Sequence, residues 1–107
     1  MEANVVIEAG KACITLRGSF TIEHYHAFKC AVAQLSENDG LEEVSIDFSA
    51  VPMIDSTALG MLLLLRERLE GRAIRLFGVR GTVRSVLNIT SLDHLFSIDM
   101  HRHASCL

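Results

Sequence analysis

The most constraining feature of this chain is a five-residue apolar run, Met61-Leu62-Leu63-Leu64-Leu65, led in by Ala58-Leu59 and closed by Arg66-Glu67-Arg68. It is far short of the roughly 20 apolar residues that a membrane span needs. It must therefore be buried by other parts of the same chain. From about residue 56 to residue 70 the pattern is helical, and the leucines cover more than one face, so a mostly buried helix stopped by Gly71 is expected. Its flanks supply the cover. Val44, Ile46 and Phe48 alternate with Ser45 and Asp47, which reads as a strand, and residues 73–79 (Ala-Ile-Arg-Leu-Phe-Gly-Val) read as another.

The same grammar extends to both ends. Residues 5–8 and 12–17 are short β-branched runs joined by Ala9-Gly10-Lys11, two strands and a tight turn. After Gly18-Ser19, the residues Ile22, Tyr25, Phe28, Val32 and Leu35 recur every three or four positions, so a helix is predicted from near Thr21 to the turn cluster 36–40. Gly81-Thr82 opens a short helix through Val83, Val86 and Leu87. A turn at 92–96 then leads to a last strand at 97–100. The order β β α β α β α β makes the fold α/β, because helices between strands are crossovers and crossovers build a largely parallel or mixed sheet.

With 107 residues, 50% of them hydrophobic, the chain reads as one domain without linkers and with a real core. Ten Lys+Arg against 13 Asp+Glu leave a net charge of −3, and the basic residues are scattered. A nucleic-acid footprint needs clustered cations, so no nucleic-acid partner is expected. The start, Met1-Glu2-Ala3-Asn4, has neither a positive n-region nor an apolar h-region, so neither a signal peptide nor membrane insertion is expected. Cys13, Cys30 and Cys106 form no Cys-x-x-Cys pair, which reads as reduced thiols of a cytoplasmic protein, Cys13 and Cys30 being buried as small hydrophobes.

In a sheet of this kind the useful place is the loop that leaves the carboxyl end of a strand and enters the next helix. Here that loop carries Asp55-Ser56-Thr57 at the helix start. Such side chains accept hydrogen bonds from the orphan amides of a first turn, so helix capping alone would account for one of them. Three in succession leave at least one hydroxyl free at the positive end of the helix dipole. A phosphate there adds about −1.5 to −2 charges and three acceptor oxygens. Beside Asp55 it would be harmless to the fold and disruptive to a docked partner.

The stretch 44–63, and within it Asp47-Phe48-Ser49 followed by Ile54-Asp55-Ser56-Thr57-Ala58-Leu59-Gly60-Met61, resembles the signature of the STAS family of anti-sigma factor antagonists. The resemblance extends to Gly18 and the helix after it, the strand around Leu76, residues 83–87, and the closing Leu92-x-x-Leu95-Phe96-x-Ile98. It implies a single STAS-like domain over residues 1–107, with a mixed sheet of about four to five strands and helices mainly on one face. It also implies that Ser56 is phosphorylated by a partner kinase, with no cofactor, metal or small-molecule substrate. Asp55, Thr57, Leu59 and Met61 would form the docking surface with Ser56, joined by Thr21, Ile22 and His24 before the first helix and by Thr82 at the start of the third. The implied partners are an anti-sigma factor, with or without serine kinase activity, and a phosphatase of the PP2C type. Two positions depart from many relatives: Ser19-Phe20-Thr21-Ile22-Glu23-His24, where an acidic Glu-Leu-Asp run is common, and Ala58, where glycine is common.

Other constellations are weaker. His24 and His26 stand at i and i+2, which do not share a helix face, and His101-Arg102-His103 lies in the terminal segment. A serine hydrolase built on Ser56 would need a histidine base and an orienting carboxylate; no Gly-x-Ser-x-Gly elbow is present. Gly78-Val79-Arg80-Gly81 reads as a strand-to-helix turn rather than a phosphate loop. The expectation is a non-enzymatic regulator. A constitutive STAS subunit of an ABC lipid-transport complex is the alternative within binding modules, and a small serine hydrolase is the remote one.

Overall fold

The computed structural model describes residues 2–37, 40–70 and 72–99. Strands β1 (Glu2–Glu8) and β2 (Lys11–Arg17) form a hairpin. Glu8 pairs with Lys11 around a two-residue turn in which Ala9 (φ 52°) and Gly10 (φ 78°) are both left-handed. Two positive φ values in succession match the right-handed twist of the flanking strands, which is why such turns favour glycine. A 3₁₀ turn (Ile22–His24) then leads into helix α1 (Tyr25–Ser36). The chain continues through β3 (Glu43–Ala50), α2 (Ser56–Arg68), β4 (Ala73–Phe77) and α3 (Gly81–Ile89). A second 3₁₀ turn (Leu92–His94) and β5 (Ser97–Asp99) follow. The expected element order is present; the expected helix stop at Gly71, the expected end of the last strand at Met100, and the histidines and cysteine of the terminal segment lie outside the described residues.

The five strands lie in the order β1-β2-β3-β4-β5. β1 is antiparallel to β2, and β2, β3, β4 and β5 run parallel, so the sheet is mixed. One sheet face carries Ile14, Leu16, Val44, Ile46, Phe48 and Leu76, all buried. Against it pack Phe28, Val32 and Leu35 of α1, Ala58, Met61, Leu62 and Leu65 of α2, and Val83 and Leu87 of α3 in one hydrophobic cluster. Because side chains alternate across a strand, Ser45 and Asp47 point to the opposite face, yet both are buried. Among the described residues no helix is long and apolar enough to cross a membrane.

Three sequence expectations change. α2 buries a single stripe: Leu63 is 42% exposed and Leu64 only half-buried, because five consecutive residues on a 3.6-residue period cannot all face one sheet. Cys30 is exposed and free rather than buried. Cys13 is half-buried rather than buried.

Candidate functional site

Since β2, β3 and β4 are parallel, the chain leaves all three at the same edge of the sheet, and α1, α2 and α3 all begin there. That edge is where loops of an α/β sheet present function. The end of β3 is shaped by Asp47. Its Oδ1 accepts the Ser49 N–H at 2.9 Å and the Ser49 hydroxyl at 2.6 Å. Both bonds fold the strand end back on itself, and Val51 N–H donates to the Phe48 carbonyl at 2.9 Å. The Asp-x-Ser spacing thus directs the chain out of the sheet toward α2.

Asp55 is the N-cap of α2, with extended backbone and Oδ1 accepting the Ala58 N–H at 2.9 Å. Its second oxygen, Oδ2, accepts the Ile22 N–H at 3.1 Å. Two backbone bonds reinforce this junction: Phe20 N–H to the Met53 carbonyl at 3.0 Å and Asp55 N–H to the Phe20 carbonyl at 3.2 Å. They form a parallel bridge between Phe20 and Ile54. Phe20 is buried, with its ring 4.9 Å from that of Phe28 and 6.3 Å from that of Phe48. An aromatic anchor and one carboxylate thus hold the loop 20–24 beside the start of α2.

Ser56 follows as the first residue of the helix and is exposed. Because Asp55 does the capping, the Ser56 hydroxyl has no hydrogen-bond partner among the described residues. Of the three small polar residues Asp55 does the capping, and neither the exposed Ser56 nor the half-buried Thr57 has a hydroxyl partner among the described residues. Gly60 stands one turn further along the same face and is exposed. A Cβ built there meets nothing within 4 Å, so this glycine is not needed for close approach of the helix to the sheet.

The structure brings Thr21, Ile22 and His24 to Ser56 through the Asp55 bond and the Phe20 bridge. Thr21 Oγ1 and His24 Nδ1 lie 3.3 Å apart and brace the 3₁₀ turn, leaving Ile22 64% exposed. Leu59 is half-buried against the core. Met61 is a correction: at 3% exposure it faces the sheet and is not available on the surface, because it lies five positions after Ser56 and so on a different side of the helix. Thr82 is exposed in the first turn of α3 and shares the sheet edge, with no hydrogen bond to Ser56. Two further exposed apolar residues join the surface, Met53 (45%) beside Phe20 and Tyr25 (39%) at the start of α1. A methionine just after a loop proline and an aromatic at a helix start were their signals, though both residue types more often read as core.

The family model for the STAS domain matches residues 2–105. Among solved structures, a protein of Thermotoga maritima assigned as an anti-sigma factor antagonist is 25% identical, with 96% of this chain and 88% of that one covered at a TM-score of 0.82. The phosphorylated form of the Bacillus cell fate determinant SpoIIAA is 15% identical over 91% of this chain and 90% of its own, at a TM-score of 0.71. A sulfate transporter family protein from Wolinella succinogenes is 20% identical over 90% and 81%, at 0.76.

Proposed function

The chain belongs to the STAS domain family, and from that premise we propose that it is an anti-sigma factor antagonist whose hold on its partner is switched by phosphorylation of Ser56. The observation that carries this reading is the division of labour at the start of α2: Asp55 caps the helix and Ser56 stands exposed with an unengaged hydroxyl. The same fold in SpoIIAA occurs in a phosphorylated form, which supports a covalent switch on this scaffold.

In the unmodified state the surface around Ser56 is partly apolar, with Ile22, Met53 and Tyr25 exposed around the helix end. An anti-sigma factor docks there and releases its sigma factor. A serine kinase, either the anti-sigma factor itself or a separate protein, transfers the γ-phosphoryl group of ATP. The Oγ–P bond forms, the bond to the ADP leaving group breaks, and the serine proton is lost. About −1.5 to −2 charges then stand at the interface. The positive end of the helix tolerates them, while an interface closed over a neutral hydroxyl does not. A PP2C-type phosphatase restores the binding form by hydrolysis to inorganic phosphate. The place of action under this reading is the cytoplasm, where ATP and sigma factors are.

The likeness to a sulfate transporter family protein favours a second reading, a STAS module that serves a transport complex without modification of Ser56. The two separate in one experiment. Immobilised Ser56→Ala and Ser56→Glu proteins are exposed to lysate of the source organism, and retained proteins are identified by mass spectrometry. A partner held by the Ala form and lost by the Glu form supports the switch. Equal retention by both forms refutes it.

A further inference from the structure

Between α1 and α2 lies an apolar slot that shares only Tyr25 with the surface around Ser56. Tyr25, Phe28, Lys29, Val32 and Ala33 line it from α1, and Met61, Leu64 and Arg68 from α2. On α1 the outer wall is the stripe Tyr25, Lys29 and Ala33, spaced by four; on α2 it is Leu64 and Arg68 at the same spacing, with Gly60 one turn before them. Positions four apart on a helix share a face. The small, exposed residue Ala33 leaves the slot open on its outer side.

The size of the slot selects its occupant. Its volume is about 40 Å³, far below the roughly 300–1,000 Å³ of small-molecule pockets, and enough for the end of one aliphatic side chain. Its rim selects the charge. Lys29 and Arg68 both stand on it, and no carboxylate lines it. Lys29 lies over the Tyr25 ring at 5.7 Å. Neither cation is in an ion pair with a carboxylate among the described residues. On a chain of net charge −3, this is a cationic frame around an apolar hole. A buried apolar anchor ringed by polar contacts is the usual form of an interface hot spot, and an amphipathic helix laid in a groove presents its anchors at this spacing.

We propose that the α1–α2 slot receives an apolar anchor from an acidic amphipathic helix of a protein partner, with Lys29 and Arg68 pairing to carboxylates on either side of that anchor. The inference rests on the reading above only for the partner's identity. Tyr25 belongs to both surfaces, so the slot continues the Ser56 surface along the helices. From Ser56 to Leu64 is about 12 Å along the axis, more than the Debye length of about 8 Å at physiological ionic strength.

Two designed helical peptides of equal length test this, each with leucine anchors spaced by four, one flanked by glutamates and one by lysines. Binding is followed by amide chemical shifts of the ¹⁵N-labelled protein and by calorimetry at physiological salt. The Glu-flanked peptide is expected to bind at least about tenfold tighter, a difference of about 1.4 kcal/mol, and to shift Lys29, Ala33, Leu64 and Arg68. The double variant Lys29→Glu with Arg68→Glu should invert the preference. Ala33→Phe, at an exposed helix position, should fill the slot and weaken both peptides while thermal unfolding stays near that of the parent. Ser56→Glu should leave peptide affinity within about twofold, since the added charge is screened. Loss of the Ser56 switch would thus leave these results standing, and their loss would leave the switch standing. Absent shifts at the slot, equal binding of the two peptides, indifference to the charge reversal, or tighter binding to phosphatidylserine vesicles than to the Glu-flanked peptide would each overturn the proposal.

Discussion

Asp55 and Ile22, 33 positions apart in the chain, are joined by a 3.1 Å hydrogen bond from the Ile22 N–H to the Asp55 Oδ2, while the other oxygen of the same carboxylate caps α2 through the Ala58 N–H. One side chain thus starts the helix that bears Ser56 and fastens the loop that carries Ile22 beside it. Replacing Asp55 by alanine removes both bonds. The expected cost is about 1–2 kcal/mol, the usual penalty for a lost N-cap. Asp55→Asn keeps one acceptor oxygen only, so its unfolding midpoint should fall between the two; a midpoint equal to that of the parent would refute the double role.

Ser56 carries no structural bond among the described residues, so Ser56→Ala should leave stability unchanged or raise it by up to about 0.5 kcal/mol through helix propensity. Ser56→Glu adds a negative charge at a helix N-terminus and should stabilise by about 0.3–1 kcal/mol at low salt. Thermal unfolding of the three proteins checks both signs. A marked destabilisation of the Glu form would mean that a phosphate there unfolds the helix instead of blocking a partner.

Gly60 meets open space at its Cβ position and lies within α2. Gly60→Ala should therefore stabilise by about 0.5–1 kcal/mol, the helical cost of glycine against alanine. For a domain of this size that corresponds to a rise in Tm of roughly 2–8 °C. A fall in Tm would restore a packing role for this glycine.

Gly78 is the opposite case. Its φ is +69°, and an added Cβ would stand 2.7 Å from the Ser49 backbone nitrogen and 2.8 Å from the Ser49 Cα. Neither neighbour is a flexible side-chain end. Gly78→Ala should cost about 2–5 kcal/mol, combining left-handed strain with overpacking. Gly81, at φ +60° with nothing within 4 Å, should lose only about 1–2 kcal/mol on the same change. Urea unfolding of the pair measures the difference, and equal losses would show that the Ser49 contact is unimportant.

Much of this was legible locally. The alternation of Val44, Ile46 and Phe48 marks β3, and the helical recurrence of Phe28, Val32 and Leu35 marks the buried face of α1. That one of Asp55, Ser56 and Thr57 caps α2 and that at least one hydroxyl is left over follow from residue type at a helix start. Three things were not legible: that Met61 turns inward, that Gly60 turns outward, and that Cys30 is exposed. In a helix of nearly continuous apolar residues, periodicity does not say which stripe meets the sheet.

The sequence by itself determined the order of strands and helices, the burial of a Leu-rich helix and the placing of a hydroxyl at its start, because these depend on propensities and periods read over a few neighbouring residues. Only the tertiary structure decided that Asp55 reaches Ile22, that Phe20 bridges Ile54, that Gly78 lies against Ser49, and that α1 and α2 leave a cation-rimmed slot between them. Those relationships join segments far apart in the chain. They exist only once the sheet has brought its parallel strand ends to one edge and the helices have settled on one face, and no local pattern encodes that settlement.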